Sequence, residues 1–204
     1  DEFHTGTYYR LFPIVGIQTE SPFKIKNNFY NFTYRPHMQL VISPGISNSN
    51  KISNEDSSNN DFVIQNASSL NRFSGSDKMD NSKRINYGAS IINSNLKLDF
   101  YQNYEFTNNS NFNKYVGNKD YLSDFLSNLN YSKNGNKINY FLRYDTHYDT
   151  LKHQNVAFNS KNEFGNVDLN YIDQKTDNNN ILEDHIETFT YDYKSKDIRK
   201  YSNL

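Results

Sequence analysis

The stretch FYNFTYRPHMQLVIS, residues 29–43, alternates apolar and mostly polar side chains. The apolar set is Tyr30, Phe32, Tyr34, Pro36, Met38, Leu40 and Ile42, and the polar set includes Arg35, His37 and Gln39. A β-strand points successive side chains to opposite faces, so the pattern predicts a strand with one apolar and one polar face. The run exceeds the roughly 5–6 residues usual in soluble proteins. It suits a tilted strand that crosses a bilayer, which needs about 9–11 residues.

Composition is compatible with a β-rich protein and excludes several other classes. The chain has 204 residues, of which 16% are aromatic. The mean hydropathy of −0.92 leans toward a solvated chain, but aromatic residues favour strands and argue against disorder. The absence of cysteine excludes a disulfide framework and thiolate metal sites. Because the formal net charge is −1 and no basic patch stands out, no nucleic-acid partner is expected.

Strand-like alternation recurs along the rest of the chain. Residues 7–18 are predicted to form a strand, and Ser21-Pro22 a turn. Further strands are predicted at residues 84–92, 96–106, 121–131, 137–148, 154–164, 166–175 and 185–195, and another begins near Ile198. The sequence KNGN at residues 133–136 is a strong signal for a tight hairpin turn. The fold class is therefore predicted to be all-β, an antiparallel meander of about nine or ten strands.

A long polar segment, residues 44–71, separates the second strand from the third. Such a loop is uncommon in a compact soluble domain, whereas outer-membrane barrels carry long loops on the side that faces the outside of the cell. We therefore expect the meander to form part of a large transmembrane β-barrel. The chain opens without Met and stops inside an apparent strand, so it is expected to be a fragment that spans residues 1–204 as one partial barrel.

On the barrel hypothesis, the polar faces line the lumen and the apolar faces meet lipid. The predicted lumen wall comprises Arg35, His37, Gln39, Lys97, Asp99, Arg143, Asp145 and His147. The predicted lipid-facing residues are Tyr30, Phe32, Tyr34, Met38, Leu40, Ile138, Tyr140, Leu142 and Tyr144. Four tyrosines, at positions 30, 34, 140 and 148, are expected to form an interfacial girdle.

Few residues suggest chemistry. Arg143, Asp145, His147 and Asp149 share one predicted strand face, where a metal or acid–base site is one interpretation. A charged lumen ladder, with Arg143 paired to an acid on a neighbouring strand, is the simpler one. His185 has no adjacent partner pattern. Motifs for a nucleophilic serine or a phosphate-binding loop are absent, so no enzyme activity, cofactor or metal site is predicted.

Three stretches resemble one known family. TYRPHMQLVISP (33–44) is similar to a strand of the LptD (OstA/Imp) family of lipopolysaccharide-assembly proteins. SNEDSSNNDF (53–62) and SSLNRFSGSDKMDNSKRINYGASI (68–91) look like the acidic loop and following segment of its alphaproteobacterial members. These two stretches contain Asn54, Glu55, Asp56, Asn71, Arg72, Phe73, Gly75 and Asp77. FLRYDTHYDTLKHQNVAFNSK (141–161) resembles a hairpin of the same barrel. His37 and Lys78 stand where the family commonly has Arg.

The resemblance implies a large barrel in the outer membrane of a Gram-negative bacterium, which inserts lipopolysaccharide into the outer leaflet. It implies three partners: lipopolysaccharide, a plug lipoprotein similar to LptE, and periplasmic Lpt bridge proteins that act through an N-terminal jelly-roll domain. That domain and the closing strands are expected to be absent from this chain. Two alternatives stay open on the residues alone. The first is a porin or nutrient-receptor barrel. The second is a soluble adhesin or glycan-binding module, which would place Phe32, Met38 and Leu40 in a closed core.

Overall fold

The structure is a computed structural model that describes residues 9–45, 56–57, 62–107, 121–178 and 182–195. The elements are β1 (Val15–Glu20), β2 (Phe23–Lys26), β3 (Asn31–Ile42), α1 (Ile64–Ala67), β4 (Lys83–Ile92), β5 (Leu96–Glu105), β6 (Phe125–Lys133), β7 (Asn136–Asp145), β8 (Thr150–Lys161), β9 (Gly165–Asn178) and β10 (Leu182–Ser195). In these residues no helix is long and apolar enough to cross a membrane.

All strands belong to one antiparallel sheet in which β1 and β10 lie at the two ends of the strand order. From β3 onward each strand pairs with the next one along the chain. The predicted all-β meander is therefore confirmed. Several predicted bounds were wrong: the first strand begins at Val15, β6 begins at Phe125, and β7 ends at Asp145. The predicted strand near Ile198 lies outside the described residues.

The prediction of a turn at Ser21-Pro22 was wrong. β1 and β2 both pair with β3 in one unbroken register, since Glu20 is opposite His37 and Phe23 is opposite Tyr34. The backbone N–H of Ser21 donates to the carbonyl of Pro36 at 3.2 Å. Pro36 has no N–H to return the bond, so the ladder lapses there while the chain continues along β3.

The ends of the strands form two opposite edges of the sheet, and the connections at these two edges differ. Short turns join the strands on one edge, at residues 27–30, 93–95, 134–135 and 162–164. The opposite edge carries the connections 43–82, 106–124, 146–149 and 179–181. We call these the short-turn edge and the long-connection edge. The two longest connections, 43–82 and 106–124, share the second edge, and outer-membrane barrels likewise carry their long loops on one side.

Asparagine builds the short-turn edge. The Oδ1 atoms of Asn27, Asn93 and Asn162 each accept the backbone N–H groups two and three residues further on, at 2.6–3.0 Å. At the fourth turn Asn134 and Gly135 have φ values of 50° and 82°, which gives the predicted tight hairpin its type I′ conformation. Asparagine, which is abundant in this chain, thus has a structural role at these turns.

The sheet has one apolar and one polar face, which we call the outer and the inner face. Along β3 the outer face carries Met38 and Leu40, which are 47% and 38% exposed. The buried apolar cluster lies on the inner face instead, where Phe62 and Ala67 pack against Leu126 of β6. Within the described residues, the sheet therefore leaves its apolar face exposed. The hypothesis of a soluble module required that face to be buried in a core.

Candidate functional site

The inner face of the sheet contains most of the predicted lumen wall. Seven predicted residues share this face by strand register: Arg35, His37, Gln39, Lys97, Asp99, Arg143 and Asp145. The placement of His147 in the strand was wrong, because it lies exposed in the turn after β7. The carboxylate of Asp145 accepts the backbone N–H groups of His147 and Tyr148 at 2.9 and 3.0 Å and so ends the strand.

Polar side chains on this face bond across strands. Asn86 of β4 donates to Gln39 of β3 at 2.6 Å, and Gln39 lies 3.4 Å from Gln18 of β1. This row of amides crosses three strands and pairs groups that would otherwise be buried without partners. Asp99 likewise accepts the Ser90 hydroxyl at 2.6 Å. A further ion pair joins Lys97 to Asp99 at 3.0 Å.

His37 has a packing role at the centre of this face. Its ring lies 4.4 Å from the ring of Tyr101, and Gly88 is the residue between them on β4. A Cβ atom on Gly88 would lie 2.7 Å from Nε2 of His37 and 2.0 Å from the carbonyl oxygen of Phe100. Glycine therefore makes room for an aromatic pair across three strands.

A segment of the long connection covers the inner face of β3 to β6. We call residues 62–82 the inner segment. Its helix α1 packs next to Tyr101, Leu126 and Phe141, which point inward from β5, β6 and β7. The predicted polar loop at residues 44–71 thus folds back over the inner face in its part from residue 62 onward. The polar composition of the segment hid the few apolar residues that hold it to the sheet.

Two arginines and two acids form a buried ion cluster beneath the inner segment. Arg72 and Asp80 come from the segment, Arg84 from β4 and Glu105 from β5, and all four are at most 2% exposed. Asp80 accepts from Nε of Arg72 at 2.6 Å and from Nη1 of Arg84 at 2.8 Å. Arg72 also bonds to Glu105. Burial disfavours the charged form of Arg72, but the two carboxylates outweigh it and raise the pKa of the guanidinium.

Neighbouring polar groups anchor the inner segment to the sheet. Ser82 donates its hydroxyl to Glu105 at 2.7 Å, and its backbone N–H donates to the Ser43 hydroxyl, also at 2.7 Å. The Asn71 side chain accepts the backbone N–H of Asp80 at 3.0 Å. Arg84 bonds to the carbonyl of Ser69. These bonds connect the middle and the C-terminal end of the segment to β4, to β5 and to the residue that follows β3.

The motif residues from the family resemblance organise a tight turn in this segment. Gly75 has φ of +82°, and the carboxylate of Asp56 lies where a Cβ atom would be. Asp56 accepts the backbone N–H groups of Ser76 and Asp77 at 2.8 and 2.9 Å. These bonds hold the pKa of Asp56 well below its usual range. Asn54 and Glu55 lie outside the described residues.

Arg143 reaches a buried acid at the long-connection edge. Its Nε atom lies 3.6 Å from Oδ2 of Asp124, the residue before β6. Burial raises the pKa of Asp124 to about 6; Arg143 and Lys152 oppose this effect, and Asp145 adds to it. The pairing agrees with the interpretation of a charged ladder.

The inner face is more exposed at the other end of the sheet. We call the inward side chains of Asn159, Asp168, Asn170, Thr190 and Asp192 the open wall; all are half-buried or exposed. They line a shallow cleft of about 250 Å³. Asp168 and Asp192 are directly opposite each other, so this surface offers hydrogen-bond acceptors and negative charge.

The predicted lipid-facing residues of β3 and β7 all share the outer face: Phe32, Tyr34, Met38, Leu40, Ile138, Tyr140, Leu142 and Tyr144. Tyr30 lies in the turn before β3, and Tyr148 in the turn after β7, so both occupy the margins of the sheet. Whether this face meets lipid stays a prediction.

The apolar positions of the outer face reach the long-connection edge on β3 but not on β10. One row of directly opposed outer residues is Pro36, Ala89, Phe100, Ser127, Leu142, Gln154, Asp173 and Glu187. On β3 the apolar positions lie on both sides of this row, from Phe32 to Ile42 at the long-connection edge. On β10 they lie on the short-turn side of it, at Phe189, Tyr191 and Tyr193.

Sequence reasoning missed a group of ligand-type side chains on the outer face. Nε2 of His185 lies 2.9 Å from Oδ1 of Asp173 and 3.5 Å from Oε1 of Glu187. Asp173 is more than ten positions away in the chain, so only the register of β9 and β10 brings the three together. A sequence signal was available in principle, since a hairpin about the polar residues 177–180 places Asp173 near His185.

Comparison with known proteins assigns the chain. The family model for LptD, LPS transport system D, matches residues 3–196, which is nearly the whole chain. A search of curated proteins found no match. The match agrees with the antiparallel meander and with the motif residues that fold the inner segment. The chain belongs to the LptD family, a family of lipopolysaccharide-transport proteins in the outer membrane of Gram-negative bacteria.

Proposed function

We propose that this chain forms an arc of the wall of an outer-membrane barrel that inserts lipopolysaccharide into the outer leaflet. The observation that carries the proposal is an exposed apolar band on one face of a ten-stranded meander whose opposite face is polar. In water such a band would be costly, at roughly 25 cal/mol for each Å² of apolar surface left exposed. Hydrocarbon around the barrel removes that cost.

The orientation in the membrane follows from the two edges of the sheet. The short-turn edge faces the periplasm, and the long-connection edge faces the outside of the cell. Tyr30 lies at the periplasmic margin and Tyr148 at the outer margin, where aromatic girdles occur.

One part of the inner face contacts a segment of the chain itself, and another part is available to a partner protein. The inner segment fills the lumen beside β3 to β6 through the buried ion cluster. The open wall, with paired acids at Asp168 and Asp192, is available to a plug lipoprotein similar to LptE that supplies donors or cations. Periplasmic Lpt bridge proteins deliver lipopolysaccharide through an N-terminal domain of the full-length protein.

Depletion of the full-length protein tests the transport function. We expect lipopolysaccharide to accumulate inside the envelope and its surface level to fall. A porin or nutrient receptor predicts normal surface lipopolysaccharide with reduced solute uptake, and that outcome would reject the proposal.

A matched pair of substitutions tests the wall assignment. Leu142→Lys puts a charge on the outer face, where it costs about 2–4 kcal/mol at the bilayer midplane. Asn139→Lys puts the same charge on an inward position of the same strand, three residues away. We expect the first variant to reduce assembled barrel in the outer membrane and the second to assemble normally. Equal assembly of both variants would contradict the assignment of the faces.

A further inference from the structure

The outer face holds three side chains arranged as metal ligands at the β9–β10 hairpin. One nitrogen and two carboxylate oxygens, from His185, Asp173 and Glu187, all lie within 4.8 Å of one another. Asp173 and Glu187 are directly opposite across the ladder, and His185 is diagonal to Asp173. Like charges directly opposite each other destabilise a strand pair, which a bound cation would relieve.

The distances agree with a tetrahedral ion. Zinc–nitrogen and zinc–oxygen bonds of about 2.0–2.2 Å place neighbouring tetrahedral ligands roughly 3.3–3.5 Å apart. Nε2 of His185 already lies 2.9 and 3.5 Å from the two carboxylate oxygens. Gln154 donates to the other oxygen of Asp173 at 2.9 Å, which orients the carboxylate and leaves Oδ1 toward His185.

The surroundings limit which ion fits. A set of one imidazole and two carboxylates suits zinc and related first-row ions, whereas calcium and magnesium prefer oxygen ligands alone. Lys175, directly opposite His185, is the nearest cation of the hairpin, and it offsets part of the negative charge of the cluster. His185 and Glu187 are 45% and 59% exposed, so an ion can enter from outside the sheet.

We propose that Asp173, His185 and Glu187 bind a divalent transition-metal ion, with Zn²⁺ as the best fit. The three side chains supply three ligands, and the remaining coordination position faces outward from the sheet. The site lies on the long-connection side of the apolar residues Tyr171 and Phe189. A bound ion links β9 to β10 at this end of the hairpin. This proposal stands on the hairpin geometry alone and does not depend on the transport function.

Zinc titration of the purified full-length barrel, stripped of metal with a chelator, tests the proposal. We expect one Zn²⁺ site to be lost, or weakened at least tenfold, in His185→Ala and in Glu187→Gln. Asp192→Asn is the matched control, because it removes an exposed acid of the same strand on the inner face. It is expected to keep the site. Unchanged zinc stoichiometry and affinity in His185→Ala would overturn the proposal.

A second measurement on the unmodified protein avoids any dependence on variant folding. Cobalt bound in place of zinc should give the absorption of a four-coordinate ion, and X-ray absorption should detect a single imidazole ligand. Calcium in excess should not displace it. An all-oxygen coordination sphere, or displacement by calcium, would exclude this site.

Discussion

The inner face of the sheet is covered by its own chain at one end and exposed at the other. Under the inner segment, Arg84, Asn86 and Glu105 are almost completely buried and bonded to partners. On the open wall, the described side chains of β10 are exposed and the acids face each other. Both regions are polar in sequence. A polar wall can thus be the core for one segment or a surface for another molecule, and the difference depends on what the connections supply.

The largest expected difference between the two regions comes from removing one acid in each. Asp80→Ala removes the carboxylate that the two buried guanidiniums share, and should lower the free energy of unfolding by about 3–5 kcal/mol. Asp192→Ala on the open wall removes an acid that is 57% exposed and paired with Lys194 at 3.6 Å. It should cost about 0–1 kcal/mol. Urea unfolding of the full-length barrel measures both. Comparable losses would contradict the distinction.

The buried Asp124 gives the covered end a pH dependence. Its pKa is raised from 3.8 to about 6, so the folded state favours the protonated acid. The contribution of protonated Asp124 to the free energy of unfolding is therefore fully present below about pH 4 and is lost as the pH rises through 6. As the pH rises from 4 to 7, the free energy of unfolding of Asp124→Asn should increase by roughly 2–3 kcal/mol relative to that of the unmodified protein. Unfolding experiments across this range measure the difference, and a difference that is constant with pH would refute the assignment.

Substitutions at two glycines distinguish the destabilising effect of backbone strain from that of lost packing. Gly75 and Gly45 have φ values of +82° and +80°. Among the residues that the structure describes, only Gly75 has a neighbour at the position of a Cβ atom, the Asp56 carboxylate. Gly45→Ala should cost about 1 kcal/mol from backbone strain. Gly75→Ala should cost about 1–2 kcal/mol more, because it also displaces Asp56. The measurement is protease cleavage within the inner segment, and equal cleavage of the two variants would argue against this turn.

The smallest expected effect lies at the short-turn edge, which both regions share. Asn93→Ala removes the acceptor of two backbone N–H groups and should cost about 0.5–1.5 kcal/mol. Asn162→Ala should behave alike, whereas Asn170→Ala on the open wall should stay within about 0.5 kcal/mol. Thermal unfolding of the three variants provides the test. A loss in Asn170→Ala as large as in the turn variants would show that asparagine has no special role in the turns.

Local patterns predicted the strands because period-two alternation reflects a sheet with two different faces. They could not predict the inner segment, since its attachment to the sheet depends on Arg72 and Asp80 meeting Arg84 and Glu105 across the fold. The same reason hid the Asp173, His185 and Glu187 cluster. Prolines misled the prediction at Ser21-Pro22, where a turn signal was only a gap in a ladder. Local sequence patterns thus did not predict contacts between segments that are distant in the chain.

The faces of the sheet can be tested most directly with spin labels at Asn139 and Tyr140, two neighbours on β7. The label is attached to a single cysteine in the full-length barrel, free of other cysteines and reconstituted in lipid. The label at Tyr140 should collide mainly with oxygen dissolved in the bilayer, and the label at Asn139 mainly with a water-soluble nickel complex. The reverse pattern, or equal access of the nickel complex to both positions, would contradict an apolar face in lipid and a polar face in water.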